Sequence, residues 1–480
     1  MRTTPTIRRT FGLALSAALF VVACGGDAST TDKTDATAVA STEGPPVTES
    51  APTTTQPAET VIAVPADYAT IQEAVDAAAP GDLILISPGT YHEAVNVATD
   101  NLTIRGLDRN TVVLDGEFTL DNGIRVLGAN GVAIENMTAM NYTNNGFFWT
   151  GVTGYRGSYL TAWRNGDYGI YAFDSMNGQL ENLYAAGSPD AGIYIGECYP
   201  CNAVLDHVVS EHNGLGYSGT NSGGNLLIIN SRFNNNRAGV VPNSGSYELC
   251  YPERETTIVG NLVYSNNQPD TPAIDVAILA MGNGILSAGG VNNIIERNRV
   301  WDHNRLGIGL VPYLEEGAND AEPTPEQWAT PCSETKNQPP AAVIPATILW
   351  DSKNNQVRGN VLSDNRLGDI GIGSAGTDLS TLGNCFEDNT YEFTSPADID
   401  ALAPCGYDSV GDLNTGSVDV VAWLVQQASL PKSVDYKTAP LPDMPVLDNM
   451  PNAATAKANP ATNVPYAVDL AAITVPAKPI

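Results

Sequence analysis

The sequence predicts an all-β fold, a solenoid of parallel β-coil whose turns of about 23 residues stack into one continuous core. Two observations carry this prediction. Gly123, Gly146, Gly169 and Gly192 stand 23 residues apart, each before an apolar residue, and the series runs on through Gly216, Gly239, Gly284, Gly307 and Gly368. Between the glycines recur short phrases that close on asparagine, among them Ile134-Glu135-Asn136, Leu180-Glu181-Asn182, Val259-Gly260-Asn261 and Val357 to Asn360. Each period thus holds at least two apolar runs of period-two character, separated by the residue types that tolerate left-handed backbone at bends. A helix of about 10 residues has no room. A leucine-rich repeat shares the period, but valine, isoleucine and aromatics here occupy the positions leucine would dominate.

In such a coil each turn lies about 4.8 Å above the last, strand paired on strand. Like residues then stack in columns. Inward Ile, Val, Leu and Phe fill the lumen, and asparagines at one bend hydrogen-bond up the stack.

The chain divides along its length. Arg2, Arg8 and Arg9, an apolar run from Phe11 to Val22, and Val21-Val22-Ala23-Cys24 before Gly25-Gly26 resemble a bacterial lipoprotein signal over residues 1–23. The resemblance implies lipidation of Cys24 and an extracytoplasmic, membrane-anchored place in the cell envelope. Residues 24–61, mostly Thr, Ala, Ser, Pro, Asp and Glu, are too poor in bulky apolar groups to fold and read as a tether. Residues 62–98 read as an N-terminal cap with the first strands, and 99–393 as the repeats. Residues 394–480 read as a C-terminal helix, Val418 to Leu430, and a proline-rich tail lying along the coil or disordered. A net charge of -30 repels nucleic acid, so no nucleic-acid partner is expected, and a polyanionic ligand would need bridging cations. The chain is expected to be a monomer.

Two of the glycine intervals are long. Gly239 to Gly284 and Gly307 to Gly368 each hold a single asparagine phrase, so each is one turn carrying insertions. Loops at about 242–255 and 312–350 leave after the glycine-led strand and emerge from one edge, and a third, 268–281, leaves after the asparagine bend. Long loops on one edge of a rigid scaffold are where binding is expected. Cys198 and Cys201 follow the same strand, so Cys198, Cys201, Cys250 and Cys332 collect on that edge, and Cys385 and Cys405 form a pair at the C-terminal end. This register cuts the fifteen connectivities open to six cysteines to three.

At this level of detail the chain resembles the right-handed parallel β-helix class, the superfamily of pectate lyases, pectin esterases and alginate epimerases. The segment from Tyr68-Ala69-Thr70-Ile71-Gln72-Glu73 to Ser87-Pro88-Gly89-Thr90-Tyr91 is similar to the opening of many such proteins, where a short helix caps the coil. Asp167-Tyr168-Gly169-Ile170-Tyr171 and Asp190-Ala191-Gly192-Ile193-Tyr194 resemble an exported subgroup without a defined activity. The resemblance implies a right-handed coil over residues 62 to 393. It implies no particular chemistry, because the chain lacks the Gly-His-Gly, Asp-Pro-His and Gln-Asp-Thr phrases of the superfamily's enzymes.

With Ile124, Phe147, Ile170, Ile193 and Tyr217 inward, strand alternation turns Arg125, Phe148, Tyr171, Tyr194 and Ser218 outward. Arg125, Phe148, Tyr171 and Tyr194 are therefore candidate ligand-binding residues, since aromatic faces with polar tips suit sugar rings. Equally, the aromatics could pack under the loops. Three places on, the column reads Gly128, Gly151, Asp174, Glu197, Asn221 and Ser244, which sets Asp174 and Glu197 on adjacent turns. Two carboxylates near 5 Å could hold Ca²⁺, share a proton, or serve as the acid and nucleophile of a retaining glycosidase. In the lyases of the superfamily the resemblance implies Ca²⁺ on a uronate with an Arg or Lys as base, for which Arg125, Arg156 and Arg164 are candidates. Both carboxylates could also be an ordinary solvated edge, and Asp167, Asp190 and Glu211 read as solvent-facing turn residues. His212 and His303 precede equivalent asparagines about 14 Å apart, too far to share a zinc. Cys198-Tyr199-Pro200-Cys201 reads as a loop disulfide, since no βαβ context supports a redox motif.

The sequence thus points to a lipid-anchored envelope β-helix that binds or processes an extended polysaccharide on its loop-bearing edge. A polysaccharide lyase or glycosidase, and a structural or adhesion scaffold, are the alternatives. A binding groove requires Tyr171 and Tyr194 exposed, and a scaffold has them covered.

Overall fold

A computed structural model describes residues 60–479; the lipoprotein signal, Cys24 and nearly all of the tether lie outside them. Within them each repeat supplies three strands, where the sequence required at least two. Glycine-led strands, such as Ile124–Leu127, Phe147–Thr150 and Ile170–Phe173, pair in parallel as face 1. The chain then turns into two further strands, such as Met176–Glu181 and Tyr184–Ala186, stacked as faces 2 and 3. One turn earlier these two are a single strand, Thr153–Trp163, bent at Tyr159 where φ is 52°.

The columns have the expected register. Ile124, Phe147, Ile170, Ile193, Tyr217 and Val240 pair in succession, and all are fully buried in the lumen. The glycine column has a steric cause. A Cβ on Gly146 would stand 2.7 Å from the carbonyl oxygen of Gly169, and one on Gly216 would stand 2.6 Å from that of Gly239, so the turns can approach only without side chains here. The column ends on Asp369 rather than Gly368, because Gly307 faces the Asp369 carbonyl and Ile308 pairs with Ile370. The column of Gly128, Gly151, Asp174, Glu197 and Asn221 is a left-handed corner, with φ between 48° and 65° at each.

Asparagines stack as ladders inside the other bends. Asn236 Oδ1 accepts from the Asn213 N–H at 2.9 Å and Asn266 Oδ1 from the Asn236 N–H at 3.1 Å, and Asn261, Asn298, Asn360 and Asn389 repeat the pattern. His303 occupies a rung of the first ladder, between Asn266 and Asn365 at 3.1 and 2.8 Å. It is therefore equivalent to Asn213, and His212 sits at the neighbouring left-handed corner with φ 59°. The expected equivalence of His212 and His303 is off by one residue.

The ends are closed. The helix Ile71–Ala77 starts in a capping box of Thr70 and Glu73 and buries Ile71, Ala74 and Val75 over the first turn. At the other end Phe386, Ile399, Ala403 and Leu413 join the lumen core, and the strand Val418–Asp419 pairs beside Gly373. The expected helix there is shorter, Val420–Gln426, because it gives way to a 3₁₀ turn at Gln427–Ser429.

The proline-rich tail lies along the coil as a strap. Arg237 holds the carbonyls of Pro431 and Lys432, Arg164 those of Tyr436 and Ala439, and Arg105 those of Ala456 and Lys457. The chain then reverses: Ala461 bonds Gly131, Arg297 holds Leu470, and Arg299 holds Pro476. Fixed arginines thus satisfy a segment that has no ladder of its own. Near the reversal they belong to a buried charge ladder, Arg105 to Glu135 at 2.6 Å, Glu135 to Arg156, and Arg156 to Glu181 at 2.6 Å.

Candidate functional site

Face 1 is open at its N-terminal turns and roofed beyond Tyr194. Arg125, Phe148, Thr150, Tyr171 and Phe173 are half-buried, and Leu127 is exposed. Further along, Leu215, Ala238, Leu286 and Leu306 pack beneath Ala277 of the 268–281 loop and Val420 and Trp423 of the C-terminal helix. The open part is therefore a short aromatic strip with an end wall. Phe148 and Tyr171 lie 4.9 Å apart, and Tyr171 stacks on Tyr168 at 4.5 Å and on Tyr194 at 4.8 Å.

Tyr194 itself is 1% exposed. Its hydroxyl donates to Glu248 of the 242–255 loop, so its expected place in an exposed groove is corrected: it is the foundation of the end wall. Arg125 donates to Asn96 at 2.7 and 2.9 Å and pairs with Asp121, standing at the open end of the strip.

The two long loops meet on the edge where the register gathers four cysteines, and one of the three connectivities it leaves open is formed. Cys250 is bonded to Cys332, Cys198 to Cys201, and Cys385 to Cys405. The second loop opens on an antiparallel hairpin, Tyr313–Glu316 with Thr347–Trp350. Its short helix, Cys332–Thr335, carries Lys336 onto Asp174 as an ion pair.

Asp174 and Glu197 do not act as one pair. Asp174 is taken by Lys336, whereas Glu197 is buried and accepts from the Leu249 N–H at 3.1 Å. Burial pushes the Glu197 carboxyl up to about 7, against the lowering effect of that hydrogen bond. Ca²⁺ needs six to eight oxygens, and a lysine ammonium on one carboxylate with the other desolvated does not fit it. Among the described residues no group of three or more His, Cys, Asp or Glu is arranged to hold a metal. Two of the three arginines expected as bases are elsewhere, Arg156 in the buried ladder with Glu135 and Arg164 under the strap, and the third, Arg125, stands at the open end of the strip engaged by Asn96 and Asp121.

The acids that do converge are two that the sequence places as solvent-facing turn residues. Asp167 and Asp190 sit one turn apart at the opposite lip, where Tyr168 donates to Asp190 at 2.8 Å. Burial pushes the Asp167 carboxyl to about 6, and burial with the nearby Asp167 charge pushes Asp190 well up. Burial and then the neighbouring Glu197 and Asp190 push Glu248 up to about 8, against the hydrogen bond from Tyr194. Desolvation and the charges of Glu248, Asp167, Asp190 and Glu197 together hold the Tyr171 phenol protonated far above its usual range. Tyr171 is thus the centre on which both lips converge. The only sequence signal for the Asp167–Asp190 pair was its 23-residue repeat ahead of Gly169 and Gly192.

Residues 122–313 match a family model described as the right handed beta helix region. No curated protein matches the chain. Among solved structures, similarity is found to the A-module of Azotobacter vinelandii mannuronan C-5 epimerase AlgE4, 16% identical over 67% of this chain and 90% of that one, with a TM-score of 0.44. Others are pectate lyase Pel9A, 13% identical over 83% and 88% with a TM-score of 0.37, and an alginate lyase from Paenibacillus sp. str. FPU-7, 14% identical over 69% and 97% with a TM-score of 0.33. The stacked parallel strands, with the family match over residues 122–313, make the fold a right-handed parallel β-helix, the parallel coil that the repeat implied with the hand that the resemblance implied.

Proposed function

We propose that the protein binds an extended polysaccharide on the open strip of face 1, with the disulfide-linked loops as the end wall that fixes where the chain stops. The partly buried Phe148–Tyr171 ladder carries this reading: two rings 4.9 Å apart present a stepped apolar platform rimmed by hydrogen-bonding groups. The similar structures named above, an epimerase of mannuronan and lyases of pectate and alginate, agree with a glycan ligand but do not identify it. Residues 2–26 support a lipid anchor at Cys24 and an envelope location as part of the same proposal.

A second reading, glycan cleavage, is favoured by one observation. Asp167 and Asp190 stand one turn apart at the lip of the strip, with Tyr168 bonded to Asp190, and burial pushes both carboxyls up, the direction a general acid needs at near-neutral pH. A glycan array probed with the protein tests binding, and incubation of each hit with the protein and with Asp167→Asn tests cleavage. Hits without products support the binding reading alone. Products lost in Asp167→Asn support the second. An array without hits would leave the scaffold as the better account.

A further inference from the structure

A second groove lies on the other side of the coil, between face 3 and the ascending leg of the strap. Its volume is about 690 Å³, and its walls are Val209, Arg232 and Leu262 on face 3, His207 and Asn230 at the corner, and Ile473 and Thr474 from the strap. Val209, Arg232 and Leu262 are register partners on successive turns, so their side chains stand in one outward column. Arg299, the next in that column, closes one end by holding Pro476 at 2.6 Å.

The charge of this groove runs against the rest of the molecule. The chain has 53 acidic residues against 23 basic ones, yet no carboxylate lines it. Other arginines of faces 2 and 3 are matched: Arg105 and Arg156 to Glu135, Arg297 and Arg358 to Glu296, Arg164 and Arg299 to strap carbonyls. Arg232 enters no ion pair among the described residues, its Nε is buried without a hydrogen-bond partner, and its neighbours are the phenols of Tyr184 and Tyr264. The nearest carboxylate of face 3, Glu211, is held by Tyr184 and Asn234, each at 2.8 Å. At the rim, Asp206 is occupied by Tyr466, Asn230 and His207.

A half-buried guanidinium with an unused donor, in a groove whose neighbouring acids Glu211 and Asp206 are already engaged, suits one carboxylate. The remaining wall mixes apolar Val209, Leu262 and Ile473 with the amide of Asn230 and the hydroxyl of Thr474. A purely aliphatic acid leaves those polar groups unmet, and a polyvalent anion finds a single unpaired cation. We propose that this groove is a second binding site, for a sugar acid whose single carboxylate pairs with Arg232 and whose ring lies against Leu262 and Ile473. The site is independent of the face 1 strip, which is acid-rimmed and lies across the coil.

Titration calorimetry of the full chain with D-glucuronate, D-glucose and sulfate tests this. Saturable binding of glucuronate, with no comparable glucose or sulfate binding, is expected. Arg232→Gln removes the charge, and Thr474→Trp, at an exposed strap position, fills the groove without touching Arg232. Each should weaken binding at least about tenfold at unchanged melting temperature, and Phe148→Ala should leave it intact. Absence of saturable glucuronate binding overturns the proposal, as does equal binding of glucose or sulfate. Wild-type affinity in Thr474→Trp, or loss of binding in Phe148→Ala, also overturns it by placing the ligand elsewhere.

Discussion

The Tyr194 hydroxyl donates to Glu248, tying a strand of the coil to a loop residue 54 positions later at the point where face 1 ceases to be open. Glu248 is held at about 8 from a usual 4.5, mainly by burial, so the folded loop keeps a proton that the unfolded chain gives up. The stabilisation is full below about 4.5 and is lost as pH rises to about 8. Hydrogen exchange of amides 244–250, corrected for intrinsic rates, should therefore show weaker protection at pH 9 than at pH 5. Glu248→Gln should reduce that difference, by on the order of 1 kcal/mol for a partly exposed group. A remaining slope is expected from Asp167 and Glu197, held at about 6 and 7.

The glycine column predicts two opposite outcomes for similar substitutions. Gly146→Ala drives a Cβ towards the Gly169 carbonyl and should cost about 1–3 kcal/mol in chemical denaturation. Gly151→Asn should stay within about 0.5 kcal/mol, because its left-handed corner is open and the same column already holds Asn221.

The ladders give a second contrast. Asn298 is fully buried, accepts from Asn261 and donates to Ile258 and Asn360, so Asn298→Ala strands several buried partners and should cost about 1–3 kcal/mol. His303→Asn restores the residue type of its column, and thermal melting should find it close to neutral at pH 7. Burial lowers the His303 value to about 4, so wild type buries a neutral ring there and no charge is lost.

Replacing both Cys250 and Cys332 by serine should free the loops while leaving the coil intact. Proteolysis should accelerate within residues 317–346, and protection at the Asn298 rung should not change. The disulfide closes an 82-residue separation outside the stacked lumen, whereas the rung is sealed by turns on both sides.

Much of the fold was legible because a stacked coil writes its geometry into the sequence as a period. Gly146 and Gly169 mark a backbone contact, Asn298 and Asn360 a shared rung, and the long glycine gaps the loops that Cys250 and Cys332 join. The site was less legible, because it depends on what the loops do after leaving the coil. Nothing at Tyr194 announces Glu248 above it, and nothing at Asp174 announces Lys336, 162 residues on. Asp167 and Asp190 looked like turn residues because they are; their burial comes from Tyr168 and the surrounding lip. The His212 register failed by one residue because a histidine can take an asparagine's rung, which residue type alone does not reveal.

The central claim is that the open aromatic strip is a glycan-binding surface, and titration of an array-identified oligosaccharide into wild type and the Phe148→Ala, Tyr171→Ala double variant tests it most directly. Stacking on two rings lost together predicts affinity weaker by at least about tenfold, and because Tyr171 also packs on Tyr168 and Tyr194, the Phe148→Ala single variant separates lost binding from lost stability. Wild-type affinity in the double variant would contradict the account.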